Sequence, residues 1–183
     1  VDTEVWKGFL ADTLPTKDVY VGLTATVSLM VIFYTSQAYT RFMNGIGLIY
    51  QIVGDFLDVS SLLMCFSKAS SAPESEKVIF QDTLVRLFSL QFSACLGRLE
   101  NKDSAAPKIA HRNDLIDPEG IDTKTLTKIL ESEDKPSAVY QRILDLMMHA
   151  YTSGVISAPP PLYTRCFQEL GNGMIKFHEA LQF

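Results

Sequence analysis

The sequence has few of the residues on which metal binding and nucleophilic catalysis depend. It contains three cysteines and three histidines, and neither set shows the spacing of a CxxC or HExxH metal site. It also lacks a glycine-rich phosphate loop and a nucleophile elbow. Cys65, Cys95 and Cys166 have apolar neighbours and are expected to be reduced residues of a hydrophobic core. We therefore expect no enzymatic activity, no metal site and no cofactor within these residues.

A cluster of basic residues is missing as well. Lysine and arginine total 16 against 21 acidic residues, which gives a formal net charge of -5 at pH 7. Proteins that bind nucleic acids neutralise phosphates with a basic face. The sequence therefore predicts no nucleic-acid partner.

Charge is absent from a long stretch near the start of the chain. No charged residue lies between Val19 and Thr40, and Arg41 is the only one before Asp55. A helix of about 20 residues crosses a hydrocarbon core of about 30 Å. We therefore predict that Val19 to Thr40, called here the candidate span, crosses a membrane. Its polar residues at 35–37 indicate that one side of the helix faces protein or water. A helix buried in a large soluble protein is the alternative.

After the candidate span, the helical pattern is expected to continue to about Ser67. Three glycines along it favour a bend, because glycine weakens a helix: Gly45, Gly47 and Gly54. Asp55 and Asp58 are expected to mark the return to water.

The rest of the chain predicts helices joined by polar loops, with no strands. One helix is predicted from Glu74 to Asn101, with an apolar face that includes Val78, Ile79, Leu84, Leu87 and Phe88. A loop follows from Lys102 to Asp117. The further helices are predicted from Asp117-Pro118, or from a second cap at Asp122, to Leu130; from Ser137 to Tyr151, ended by Gly154; and from Leu162 onward.

The pattern predicts one all-α domain over 1–183. It has three parts: an N-terminal segment at 1–17, whose Trp6 suits a membrane interface; a transmembrane helix with its extension at 18–67; and a helical region outside the membrane at 74–183. Because the chain lacks an initial methionine and ends within a helical pattern, we expect it to be a segment of a longer protein.

The run FYTSQAYTRFMNG, from Phe33 to Gly45, resembles the signature of the bestrophin family, F-[RY]-x-N/T-x-x-[YV]-x-R-[WF]-x-[NE]. The matching residues are Phe33, Tyr34, Tyr39, Arg41, Phe42 and Asn44. Ser36 stands where many members have Asn, and Phe42 with Met43 replaces the usual aromatic pair. Two later stretches, LIDPEGIDTKTLTKIL and GVISAPPPLYTRC before a long helix, match in family order. The resemblance covers nearly the whole chain at low identity.

The resemblance implies an integral membrane protein: a homopentameric channel that passes chloride or bicarbonate by passive diffusion. It also implies that the helical region at 74–183 is cytosolic. It places an apolar pore neck at Ala25, Leu29 and Phe33, although family members commonly have a bulkier residue than Ala25. A second constriction, the aperture, falls at Pro160, where a helix start would also offer backbone amides to anions. Arg41 would lie at a wider cavity and contact an anion or form a salt bridge.

Several properties stay open at the level of sequence. Further spans and an acidic calcium-binding cluster, as the family has, would lie beyond Phe183, so calcium control is undecided. The family occurs in thylakoid, plasma and bacterial inner membranes, and the permeant anion is not determined. The alternative function is that of a soluble or peripheral all-helical scaffold, in which the uncharged helix is buried against a partner.

Overall fold

A computed structural model describes residues 17–100, 120 and 122–182. The described residues form helices and no strand, which confirms the all-α prediction. The helices are α1 (Lys17–Ala69), α2 (Glu74–Glu100), α3 (Thr123–Glu131), α4 (Lys135–Thr152) and α5 (Pro160–Ala180). The predicted N-terminal segment with Trp6, the loop at 102–117 and the cap at Asp117-Pro118 lie outside the described residues.

The chain divides into two compact units, Val1–Gly45 and Ile46–Phe183. In the first unit the described residues belong to α1, and every one from Lys17 to Asn44 is exposed. Among the described helices, α1 alone is long and apolar enough to cross a membrane; it has 53 residues. Length and composition alone do not distinguish such a helix from a signal sequence or the core helix of a soluble protein.

The second unit has one hydrophobic core, to which all five helices contribute. The C-terminal part of α1 buries residues at steps of three and four: Ile52, Phe56, Val59 and Leu63. These side chains lie on one face of the helix. They pack with buried residues of the other helices, including Leu84, Leu87, Ile129, Val139, Ile143, Met147, Cys166, Leu170 and Phe177.

The predicted apolar face of α2 is correct at its centre and wrong at its start. Leu84 is fully buried and Leu87 nearly so, whereas Val78 and Ile79 are exposed. The start of α2 follows a loop at 70–73, where no other described helix covers these two side chains.

Local signals set the helix ends. The Asp122 carboxylate accepts a hydrogen bond from the Thr125 backbone N–H at 3.3 Å, so this predicted cap is confirmed. Gly154 has a φ of 80° just after α4, where glycine adopts the left-handed conformation without strain. α5 begins at Pro160, earlier than predicted, because proline is compatible with the first turn of a helix. α1 continues as one helix through Gly45, Gly47 and Gly54.

Candidate functional site

The three neck residues lie on one face of α1. They are spaced four residues apart, and side chains at that spacing are neighbours on a helix surface. Leu29 is 71 % exposed and Phe33 57 % exposed, while Ala25 is exposed as well. The helix therefore presents a row of apolar side chains that the described part of the chain leaves largely uncovered.

The same face carries hydroxyl residues beyond the neck. Each residue of an α-helix adds about 100° of rotation. Ser36, seven residues after Leu29, and Thr40, eleven residues after it, therefore lie within about 20° of the Leu29 direction. Both are exposed. The face thus changes from apolar to polar just after Phe33.

The opposite face of the candidate span has a different composition. The residues about 160° to 180° from Leu29 are Tyr20, Val27, Val31 and Ala38. They are apolar or aromatic, and all are exposed. A helix with one side of apolar and aromatic residues and one side that carries Ser and Thr hydroxyls is typical of a span that contacts lipid or neighbouring helices on one side and a polar path on the other.

Arg41 does not share the face of the neck. It follows Leu29 by twelve residues, which places it about 120° away around a regular helix. Its side chain is exposed and forms no ion pair with any residue that the structure describes. Arg41 can therefore contact an anion in the cavity only if the cavity extends about 120° around α1 from the face that carries Leu29.

Pro160 is the first residue of α5 and is exposed. The expectation that this helix start offers free amides to anions is wrong. Residues 159, 160 and 161 are prolines and have no N–H. The next two amides, of Leu162 and Tyr163, both donate to the Pro159 carbonyl oxygen at 3.0 Å. Pro160 can therefore contribute an apolar ring surface to an aperture, without backbone hydrogen bonds to an anion.

In the second unit, α5 approaches the C-terminal part of α1 closely. A Cβ placed on Gly173 would lie 2.6 Å from Cε1 of Phe56, so only glycine fits there without movement of the ring. One turn further along α5, the Lys176 ammonium group lies 2.9 Å from Oδ1 of Asp55, to which it donates a hydrogen bond. It also lies 2.8 Å from Oδ2, an ionic contact without hydrogen-bond geometry. Sequence reasoning missed this contact and placed Asp55 in water.

α5 is joined to α4 by a buried tyrosine. The Tyr163 hydroxyl donates to the Met147 carbonyl oxygen at 2.6 Å, and its ring stacks on Tyr151 with centroids 4.7 Å apart. Burial raises the pKa of the Tyr163 hydroxyl above its usual range. The start of α5, which carries Pro160, is thereby fixed to the core.

A buried polar side chain lies between α2 and α5. Gln91 is fully buried, and its amide nitrogen lies 3.1 Å from Sδ of Met174 and 3.5 Å from Sγ of Cys95. Its amide oxygen has no hydrogen-bond partner among the described residues. No sequence signal marks this position as buried, since a glutamine within a helix is usually exposed.

The cysteines differ in environment. Cys95 and Cys166 are buried as predicted, but Cys65 is exposed on α1, so the expectation of three core cysteines is wrong for this residue. Burial raises the pKa of the Cys95 thiol to about 12 and also raises that of Cys166. Both thiols are therefore protonated at neutral pH and are poor nucleophiles. Within the described part of the chain, no group of three His, Cys, Asp or Glu side chains is placed to hold a metal ion.

Comparison of the chain with models of protein families, with curated proteins and with solved structures finds no match. The resemblance to bestrophins therefore rests on the sequence motifs.

Proposed function

We propose that this chain is a subunit of a bestrophin-like anion channel, with α1 crossing the membrane and lining a pore that passes chloride or bicarbonate. The observation that carries the proposal is the exposed face of α1. Leu29 and Phe33 lie there one turn apart, and polar residues follow them on the same side. A soluble protein would leave a large apolar surface in water at this helix, which is unfavourable by about 25 cal/mol per Å².

The neck would work by exclusion of water. An ion between apolar side chains loses its hydration shell and gains no ligand, so a narrow ring of Leu29 and Phe33 blocks conduction when it is dry. The edge of the Phe33 ring carries partial positive charge and favours an anion over a cation when the neck opens. Ala25 is small and contributes little to such a constriction.

The described part of the chain has one helix able to span a membrane, and a single helix cannot enclose a pore, so the proposed channel needs several copies. The resemblance implies five copies.

The test is reconstitution of the full chain. The full chain is expressed in cells and the membrane fraction is isolated. We expect the protein to stay in this fraction during carbonate extraction and to migrate as an oligomer in mild detergent. In vesicles loaded with a chloride-sensitive dye, we expect it to allow chloride to enter. Cross-linking would count the subunits. A chain that remains a monomer in detergent-free buffer, with no chloride flux in vesicles, would overturn the proposal and favour the helical scaffold.

A further inference from the structure

We propose that the Ser36 hydroxyl is the hydrogen-bond donor that an anion meets on leaving the apolar neck, and that it sets the preference among anions. This inference rests on the proposed channel function. Ser36 follows Phe33 by three residues and lies within about 20° of the direction of Leu29. It is therefore the first hydroxyl residue beyond the neck on the neck's own face.

The hydroxyl groups of the candidate span fall into two classes. Those of Thr24, Thr26 and Thr40 each donate to the carbonyl oxygen four residues earlier, at 2.8, 2.9 and 2.9 Å. A hydroxyl has one proton, so a threonine bonded in this way presents only acceptor lone pairs outward. Such an oxygen repels an anion.

Ser36 belongs to the other class. Its side chain is exposed and its hydroxyl forms no hydrogen bond with any residue that the structure describes. Its carbonyl oxygen accepts the bond from Thr40, but its hydroxyl proton is available. Thr40, one turn further along the same face, has already given its proton to that carbonyl. Of the hydroxyls close to the Leu29 direction in the described part of the span, only that of Ser36 is able to donate.

A donor at this point changes selectivity. An anion that has crossed the dry neck has lost water, and a hydroxyl proton replaces part of the lost hydration. The replacement favours small, strongly hydrated anions such as chloride, because they lose most on dehydration. Without the donor, the pore should favour weakly hydrated anions such as thiocyanate.

The experiment measures reversal potentials of the reconstituted full chain in planar bilayers with chloride on one side and thiocyanate on the other. For Ser36→Ala we expect the thiocyanate to chloride permeability ratio to rise by roughly 2- to 10-fold, which corresponds to the loss of one hydrogen bond. The matched control is Ser28→Ala, since Ser28 is an exposed serine about 100° from Leu29 around the helix. This control should not change the ratio.

A second measurement covers the case in which Ser36→Ala does not assemble. In a Cys65→Ser background, which removes the exposed native thiol, an anionic methanethiosulfonate should block current through Ser36→Cys and leave Ser28→Cys unaffected. If the parent conducts and Ser36→Ala keeps its permeability ratio, or if Ser28→Cys is blocked and Ser36→Cys is not, the inference is wrong while the channel function stands. If the parent itself passes no current, the proposed function fails, and the inference fails with it.

Discussion

The Lys176 ammonium group contacts both carboxylate oxygens of Asp55, at 2.9 and 2.8 Å, and joins α5 to α1. The two residues are 121 positions apart in sequence. Both side chains are largely withdrawn from water, with relative exposures of 27 % for Lys176 and 15 % for Asp55. Gly173 makes the contact possible, because its missing side chain lets the two helices approach at Phe56.

Replacement of Lys176 by methionine should destabilise the second unit. The change leaves the Asp55 carboxylate half-buried without its counter-charge, which costs about 1–3 kcal/mol. The measurement is the midpoint of unfolding in urea, with Lys124→Met, an exposed lysine on α3, as the control. Addition of Asp55→Asn to Lys176→Met should restore part of the loss. An unchanged midpoint for Lys176→Met would show that the ion pair does not contribute.

The close approach at Gly173 gives a second prediction. Gly173→Ala places a methyl group 2.6 Å from the Phe56 ring and should be less stable than Gly171→Ala by about 1–3 kcal/mol. Gly171 lies on the same helix, and a Cβ there meets only the Tyr140 hydroxyl at 3.9 Å. Gly171→Ala should therefore gain helix propensity without a clash. The measurement is the thermal unfolding temperature of Gly173→Ala and of Gly171→Ala. Equal temperatures for the two variants would contradict the packing argument.

Stability should fall at alkaline pH. Because burial raises the pKa of Cys95 from 9.0 to about 12, the folded state holds this proton more tightly than the unfolded state does. The contribution of this group to the free energy of unfolding is fully present below pH 9 and is lost as the pH rises from about 9 to 12. Near neutral pH the thiol is protonated in both states, so it causes no change of stability with pH there. Urea unfolding at pH 7, 9 and 10.5 checks the sign, and Cys95→Ala should reduce the slope. Tyr163, whose pKa is also raised by burial, acts in the same direction.

The neck residues should control opening. Leu29→Ala combined with Phe33→Ala removes the apolar ring, so water fills the constriction and the pore conducts constitutively with little change in anion preference. Single-channel recordings measure the open probability. The control is Val27→Ala with Val31→Ala, on the opposite face of the candidate span. An open probability equal to that of the parent would show that Leu29 and Phe33 pack against lipid or neighbouring helices.

Pro160 should affect selectivity rather than opening. Because the three prolines and the Pro159 carbonyl leave no free amide at the start of α5, an aperture there acts through size and charge alone. Pro160→Lys should therefore raise the permeability of anions relative to cations, whereas Pro160→Ala should leave this ratio close to that of the parent. Reversal potentials in salt gradients measure it, and identical values for all three proteins would place Pro160 outside the pore.

Much of the helical organisation could be predicted from the sequence, because its signals are local. The uncharged run, the three- and four-residue spacing of apolar side chains, the cap at Asp122 and the stop at Gly154 each depend on residues within a few turns of one another. The same locality places Leu29, Phe33 and Ser36 on one face, since helical periodicity fixes direction without any tertiary contact.

Contacts between distant parts of the chain determine which helix faces are covered. From the sequence alone, Asp55 is expected to be in water, but in the structure it contacts Lys176. Gly173 differs from Gly171 because Phe56 packs against Gly173 and not against Gly171. Gln91 is buried although glutamine is usually exposed, and Cys65 is exposed although a core position was expected for it. These outcomes depend on pairs of residues far apart in sequence, and burial is a property of the partner surface as well as of the residue itself.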